Sequence, residues 1–390
     1  MIKKIIFITA TRAEFGKIKS LIHKFNKDKN FKVYIVVTGM HMIQKYGSTH
    51  LEVKKSFPKN KILCFKNQAG NETQDIIISN SIKKFSNIFK KISPDLIIIH
   101  GDRAEALSAV IAGSFNNFLI AHCEGGEVSG TIDEHIRHSV SKLSHVHFVS
   151  NKKARNRLIQ LGEIKKNVFV TGSPETDIMK ELLSSISLND VKERYDIKFK
   201  KYNILIYHPV TGENEKKILI DLNCLYKVIS KSKNENFIII YPNNDPGNNT
   251  IVNQYEKRFS RLKNTKLFRS IRFEYYLRLL KGANLILGNS SSGVREASFY
   301  GTPTINLGNR QQYRSDNKNI VNIDFNSKKI ISKIDKLKNK RFTSLKLYGD
   351  GNTASKILKI IQKKEFFKIK KQKILQTPTN ILNDKIKSSK

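Results

Sequence analysis

The sequence is poor in acidic residues: Asp and Glu together number 33 against 71 Lys and Arg, a formal net charge of +38 over 390 residues. That imbalance points to anionic partners, whether nucleic acid, a membrane surface or a phosphorylated small molecule. The cations run along the whole chain with no aromatic-interleaved basic motif, which argues against a nucleic-acid-binding module. Cysteine is scarce as well. Cys64, Cys123 and Cys224 are too few and too scattered for a disulfide scaffold or a zinc ribbon, and a reducing cytoplasm suits them. No apolar run approaches the ~20 residues that span a bilayer, so no membrane insertion is expected. The early apolar run 5–10 is cut by Thr11-Arg12-Ala13-Glu14, far below the length of a secretory signal. No Gly-x-Gly-x-x-Gly follows it, which argues against a dinucleotide fold of the NAD type. No repeat of solenoid length is present.

What remains is a regular alternation. Short β-branched runs at 5–10, 33–38, 62–65, 96–100, 119–123, 146–149 and 168–171 are separated by stretches of helical length, and a second series follows at 204–207, 237–241, 265–269, 285–287 and 304–307. Runs that are apolar throughout belong to strands buried on both faces, as in parallel sheets. With about 150 residues per domain, 390 residues suit two domains. The expected fold class is α/β, with two Rossmann-like domains and a central cleft. The expected boundaries are 1–183 for the first domain, 184–202 for a polar connection, 203–365 for the second, and 366–390 for a solvated, disordered basic tail. From 363 to 390 there are nine Lys and two acids, which motivates the last assignment.

Ligands in such sheets bind at the carboxyl ends of the strands, so the residues there carry the functional reading. Arg12 stands where the first strand meets a helix, a position suited to phosphate recognition, and Lys17 lies just over one turn away. The plain alternative is a surface arginine on a basic protein. Asp102 follows Gly101 after another strand and suits a helix N-cap or a carboxylate aimed at a ligand. Glu124 ends a buried strand, where a carboxylate is costly unless used or paired. Gly125 and Gly126 after it allow backbone to approach a ligand closely. Asp133 opens the next helix. Three acids converging on one site would repel, raising at least one pKa and supplying an acid and a base near neutrality. A metal is not expected: His122 and Cys123 point to opposite strand faces, and His135 and His138 lack a His-Glu-x-x-His frame. His145 and His147 share a strand face as core or interface histidines. In the second half, His208 and Asn243 end successive strands. Gly288-Asn289-Ser290-Ser291-Ser292-Gly293 then joins a strand to a helix in a form suited to a phosphate, with Glu296 placed for a ribose diol and Arg310 as a further cation.

Seven motifs in order carry a resemblance: residues 11–17 (TRAEFGK), 37–41 (VTGMH), 100–103 (HGDR), 124–127 (EGGE), 133–139 (DEHIRHS), 241–245 (YPNND) and 288–293 (GNSSSG). Together they resemble the hydrolysing UDP-N-acetylglucosamine 2-epimerases of bacterial sialic acid and capsule synthesis. The resemblance implies a glycosyltransferase-B-like fold, a UDP-sugar substrate, no metal or NAD, and a homodimer. It implies conversion of UDP-N-acetylglucosamine and water to N-acetylmannosamine and UDP through a 2-acetamidoglucal. It gives Asp102, Glu124 and Asp133 the acid–base work, and Arg12, Lys17 and His208 the diphosphate or departing oxygen. Ser290, Ser291, Ser292 and Gly293 fall to phosphate, Glu296 to ribose, and His41, Asn243 and Arg310 to further substrate contacts. Ala10 and Cys123 depart from the family pattern, and the basic tail is foreign to it. The same chemistry on a UDP-2,4-diacetamido-trideoxyhexose or an O-acetylated GlcNAc, a non-hydrolysing epimerase, and a glycosyltransferase of the same fold stand as alternatives.

Overall fold

A computed structural model of the chain describes residues 2–69, 72–129, 133–210, 212–243, 245–311, 314 and 317–377. They fall into two compact units, the first comprising 2–127, 133–178 and 348–377 and the second 128–129 and 179–347.

The first unit is built on β1 (Lys3–Thr9), β2 (Phe31–Val37), β3 (Lys61–Cys64), β4 (Leu96–His100), β5 (Ile120–Cys123), β6 (Val146–Val149) and β7 (Val168–Val170). They pair in parallel in the order β3-β2-β1-β4-β5-β6-β7. Successive side chains alternate between faces. Ile5, Phe7, Val33, Ile35, Leu96 and Ile98 enter one apolar layer, whereas Ile6, Ile8, Val36, Ile97 and Ile99 enter the other. Both layers are covered by helices, which is why these strands read as unbroken apolar runs. Each such buried side chain contributes about 1.5–3 kcal/mol relative to exposure. The strand order reverses between β1 and β4, so residues 9–12 and 100–102 emerge at the switch point where ligands bind in doubly wound sheets.

The second unit repeats the plan with β8 (Asn203–Ile206), β9 (Phe237–Ile240), β10 (Thr265–Phe268), β11 (Ile286–Gly288), β12 (Thr304–Leu307) and β13 (Ile320–Ile323). The parallel order is β10-β9-β8-β11-β12-β13, with its switch point between β8 and β11. Edge strand β13 escapes the sequence pattern because it is only partly buried and carries an exposed Asn322.

Three boundaries differ from expectation. Residues 348–365 pack in the first unit rather than the second. The helix Thr353–Ile361 sets Ala354, Ile357, Leu358 and Ile361 into the apolar layer that holds Ile5, Phe7 and Ile18. Residues 184–202 are not a connection, since the helix Leu188–Arg194 buries Val191 and the crossing between units falls at 178–179. The start of the tail is ordered against the first unit. Phe366 is buried and stacks on Phe148. Lys373 Nζ donates to the carbonyls of Ser144 at 2.6 Å and Lys142 at 2.7 Å and pairs with Glu163 at 2.5 Å. A lysine-rich segment reads as solvated, but the open carbonyls ending helix Asp133–Leu143 and a buried glutamate attract an ammonium. Residues 378–390 of the expected tail lie outside the described residues. Among the described residues no helix is long and apolar enough to cross a membrane, and the three cysteines are free thiols.

Candidate active site

At the end of β1, Thr11 caps the helix Arg12–Asn26 by accepting the Glu14 N–H at 3.2 Å. The Glu14 carboxylate turns back to accept the Ala10 N–H at 2.7 Å, a variant of the capping box that fixes the turn presenting Arg12. Arg12 Nε lies 2.9 Å from Glu52. Burial pushes the Glu14 carboxyl up to about 7, with Glu105 adding to the rise, although His100, Arg103 and the Ala10 N–H act against it. Glu105 is itself buried and accepts hydrogen bonds from Asn67 at 3.2 Å and Gln68 at 3.1 Å.

Two residues expected to contact ligand, Lys17 and His41, make bonds within the chain. Lys17 Nζ stands 2.9 Å from Glu175, whose side chain is 0% exposed, so its ammonium serves a carboxylate of the chain. His41 is 0% exposed. Its Nε2 is 3.0 Å from the Thr9 hydroxyl and its Nδ1 2.6 Å from the Thr49 hydroxyl. Desolvation holds its pKa down at about 3, with Arg12 and His50 adding to the fall. It is a neutral strut beneath the β1 turn rather than a ligand-facing histidine.

Glu124 follows β5 with φ +71°, a left-handed backbone that is costly for a residue with a side chain. Its amide bonds to Phe148 O at 3.0 Å, and its Oε1 accepts the Ser173 hydroxyl. His100 Nε2, at the end of β4, lies 3.4 Å from the same oxygen. Burial alone would lower the His100 pKa, but Glu124 and then Glu14 raise it above its ordinary value. The side chains of His100, Glu124 and Glu175 each bring one N or O atom within 4.8 Å of the others. That spacing would suit a cation, yet Lys17 already supplies one on Glu175, and the group reads as an ion-pair network.

Asp102 and Asp133 belong to a second cluster, gathered on Arg137, which is 2% exposed. Arg137 grips Asp102 Oδ2 through Nε at 3.0 Å and through its terminal nitrogen, and it donates to Glu134 at 3.0 Å. Asp133, first residue of the helix Asp133–Leu143, adds its charge to the same guanidinium. Asp102 is therefore not a helix cap: Arg103 is the N-cap of Ala104–Phe115, without a side-chain bond. His122 braces the turn before Asp102. Its Nε2 lies 2.8 Å from Gly101 O and its Nδ1 3.0 Å from the Ser141 hydroxyl, and burial lowers its pKa to about 3. The neutral ring thus donates from Nε2 and accepts at Nδ1. The two glycines after Glu124 serve packing rather than ligand approach. A Cβ on Gly126 would stand 2.3 Å from Ala154 O, and one on Gly125 would stand 2.7 Å from the Ser141 hydroxyl.

In the second unit the Asn289 side chain clasps the switch point. It accepts the His208 N–H at 2.7 Å and donates to His208 O at 2.8 Å. His208 Nδ1 accepts the Asn243 backbone N–H at 3.1 Å, which puts the ring proton on Nε2. Asn243 thus contributes its backbone to this turn; Asn244 of the same motif lies outside the described residues. Ser290 caps the short helix Ser291–Val294 through the Ser292 N–H, and the Ser292 hydroxyl bonds to Tyr276. Gly293 is required by β12, since a Cβ there would stand 2.7 Å from Thr304. Glu296 is 3% exposed beside Tyr276 and Tyr300. Arg310 donates to Asn289 O at 3.2 Å and lies 3.9 Å from Asp245.

Sequence reading passed over Glu14, His100, Arg137, Ser173 and Glu175 as site residues. Glu14, His100 and Arg137 sit inside the quoted motifs, and the Thr-x-x-Glu spacing was a usable signal for Glu14. Ser173 and Glu175 follow β7, remote in sequence, and only the sheet order brings them to Glu124.

The fold is thus two parallel-sheet α/β domains, each with polar residues gathered at its switch point. The chain belongs to the UDP-N-acetylglucosamine 2-epimerase family, whose pattern matches residues 23–362. It is 41% identical over 332 residues to a UDP-N-acetylglucosamine 2-epimerase of Neisseria meningitidis, covering 85% of this chain and 86% of that one. It is 35% identical to a Campylobacter jejuni GDP/UDP-N,N'-diacetylbacillosamine 2-epimerase (hydrolyzing), covering 87% and 88%. The fold is similar to the crystal structure of a Neisseria meningitidis UDP-GlcNAc 2-epimerase bound to UDP-GlcNAc, with TM-score 0.77 and 18% identity over 92% of this chain and 99% of that one.

Proposed function

We propose that the chain is a hydrolysing 2-epimerase converting UDP-N-acetylglucosamine and water to N-acetylmannosamine and UDP. The observation that carries this reading is Glu124, a buried carboxylate held in a strained backbone at a strand end, in a unit that also gathers Asp102 and Asp133 on one arginine. The C2 hydrogen of the sugar is not activated by a carbonyl, so C1–O cleavage runs ahead and leaves positive charge on the ring. Carboxylates stabilise that charge, and one takes the C2 proton. UDP departs and a 2-acetamidoglucal remains. Water then adds, oxygen to C1 and proton to C2, with inverted configuration at C2.

In this reading Asp102, Glu124 and Asp133 share the acid–base work and Arg137 orients Asp102. Arg12 and the Nε2–H of His208 meet the diphosphate or the departing oxygen. Residues 290–293 form the turn that receives phosphate, Glu296 takes the ribose, and Asn243 and Arg310 shape the turns around His208 and Asn289. The hydrolysing relative at 35% identity supports hydrolysis over retention of UDP. Its name also supports a second reading, the same chemistry on a UDP-2,4-diacetamido-trideoxyhexose.

Proton NMR of the purified protein with UDP-N-acetylglucosamine in D₂O tests the proposal. Free N-acetylmannosamine deuterated at C2, with UDP released, is the expected outcome. UDP-N-acetylglucosamine left intact while the diacetamido sugar is hydrolysed would establish the second reading. Exchange at C2 with UDP retained would sink both.

A further inference from the structure

This inference rests on the assignment of Glu124 to acid–base work. His100 and Glu175, at 5% and 0% exposure, cluster with Glu124, which is 7% exposed. The imidazole lies 3.4 Å from its Oε1, and Glu175 brings a carboxylate oxygen within 4.8 Å of the ligand atoms of both. Lys17 holds Glu175 at 2.9 Å, and Ser173 donates its hydroxyl to Glu124. The other charged or titratable groups facing His100 are Glu14 and Lys17, from the helix Arg12–Asn26, and His122 from β5. In a water-poor setting such pairs interact more strongly than at a surface. An opposite charge at this range favours the carboxylate, and a like charge favours the carboxylic acid.

We propose that His100 and Glu175 are positioning residues that set the charge of Glu124 in opposite senses, the imidazolium holding it ionised and Glu175, tethered by Lys17, limiting how firmly. A base that must accept a proton and release it within one turnover needs both influences, because a carboxylate held by His100 alone would be too weak a base. Ser173 donates to Glu124 and so fixes its direction, and the His100 ring is buried at the end of β4.

The test titrates Glu124 directly in the full chain labelled with ¹³C at glutamate Cδ, its signal identified by its loss in Glu124→Gln. In His100→Gln the Glu124 midpoint rises by about one pH unit or more, and in Glu175→Gln it falls. The acid limb of kcat/KM moves in the same two directions. A purely structural role would lower stability in both variants without moving the midpoints oppositely. An unchanged midpoint in either folded variant, or shifts of the same sign, overturns the proposal. If one variant does not fold, the other decides alone. Because the titration is read on free protein, failure to turn over any UDP-sugar strikes the functional reading and leaves this result standing.

Discussion

At the scale of single residues, charge and burial decide what each side chain can do. Glu124→Gln keeps the shape of a buried group and its bond from Ser173, so the fold should persist while kcat falls by roughly 10²-fold or more. NMR of the sugar products beside a thermal melt separates the two effects, and full activity would remove Glu124 from the chemistry. Arg137 is a different kind of residue. Arg137→Met leaves Asp102 and Glu134 without their cation and should cost about 3–5 kcal/mol in urea unfolding. Arg137→Lys, which cannot grip Asp102 through two nitrogens, should lose activity while keeping much of that stability. Glu14 gives a pH signature. Its folded value of about 7 lies above the ordinary 4.5, so the folded chain binds this proton more tightly than the unfolded one. The stabilisation is complete below 4.5 and is lost as pH rises through 7, a change of about 3 kcal/mol at most. Urea unfolding between pH 5 and 8 should show that decline in the wild type and a flatter profile in Glu14→Gln.

At the scale of elements, the segment after Phe366 behaves as a strap. Its Lys373 serves the carbonyl end of the helix Asp133–Leu143, and its Lys371 carbonyl lies 2.9 Å from His145 Nε2. Since His145 Nδ1 accepts the Ile120 N–H, Nε2 is the donor to that carbonyl. Glu163 sits at the centre, bonded to His147 at 2.9 Å as well as to Lys373. Burial would raise its pKa, but His147 and Lys373 hold it down at about 2. Lys373→Met should therefore lower stability by about 1–3 kcal/mol at neutral pH. Because Glu163 is depressed below 4.5, the loss should shrink as pH falls from about 4.5 towards 2. Equal destabilisation at both ends of that range would remove the ion pair from the account.

At the scale of the whole molecule, the chain leaves its first unit after 178 and returns to it at 348. A chain ending at 347 would lose the helix Thr353–Ile361 from the first unit's core, exposing Ile5, Phe7 and Ile18 on that face, while the second sheet stays whole. It should unfold in two steps, the first unit melting well before the second by circular dichroism, and a single transition at the wild-type temperature would refute this. The sequence alone was enough for the strands other than edge strand β13, because side chains buried on both faces of a parallel sheet must be apolar at every position, and for the motifs at their ends, because turns and helix starts use local chemistry. It carried Asp102, Glu124 and Asp133 as acids at strand ends. It could not say that Asp102 and Asp133 share Arg137 while Glu124 answers to His100, Ser173 and Glu175. Nor could it say that Lys17 pairs with Glu175 and His41 with Thr9 and Thr49, or that residues 348–377 return to the first unit. Those outcomes depend on which strands lie side by side. Strand order is fixed by long-range packing, where any amphipathic stripe can in principle cover either sheet, and a single chain's local pattern does not contain that choice.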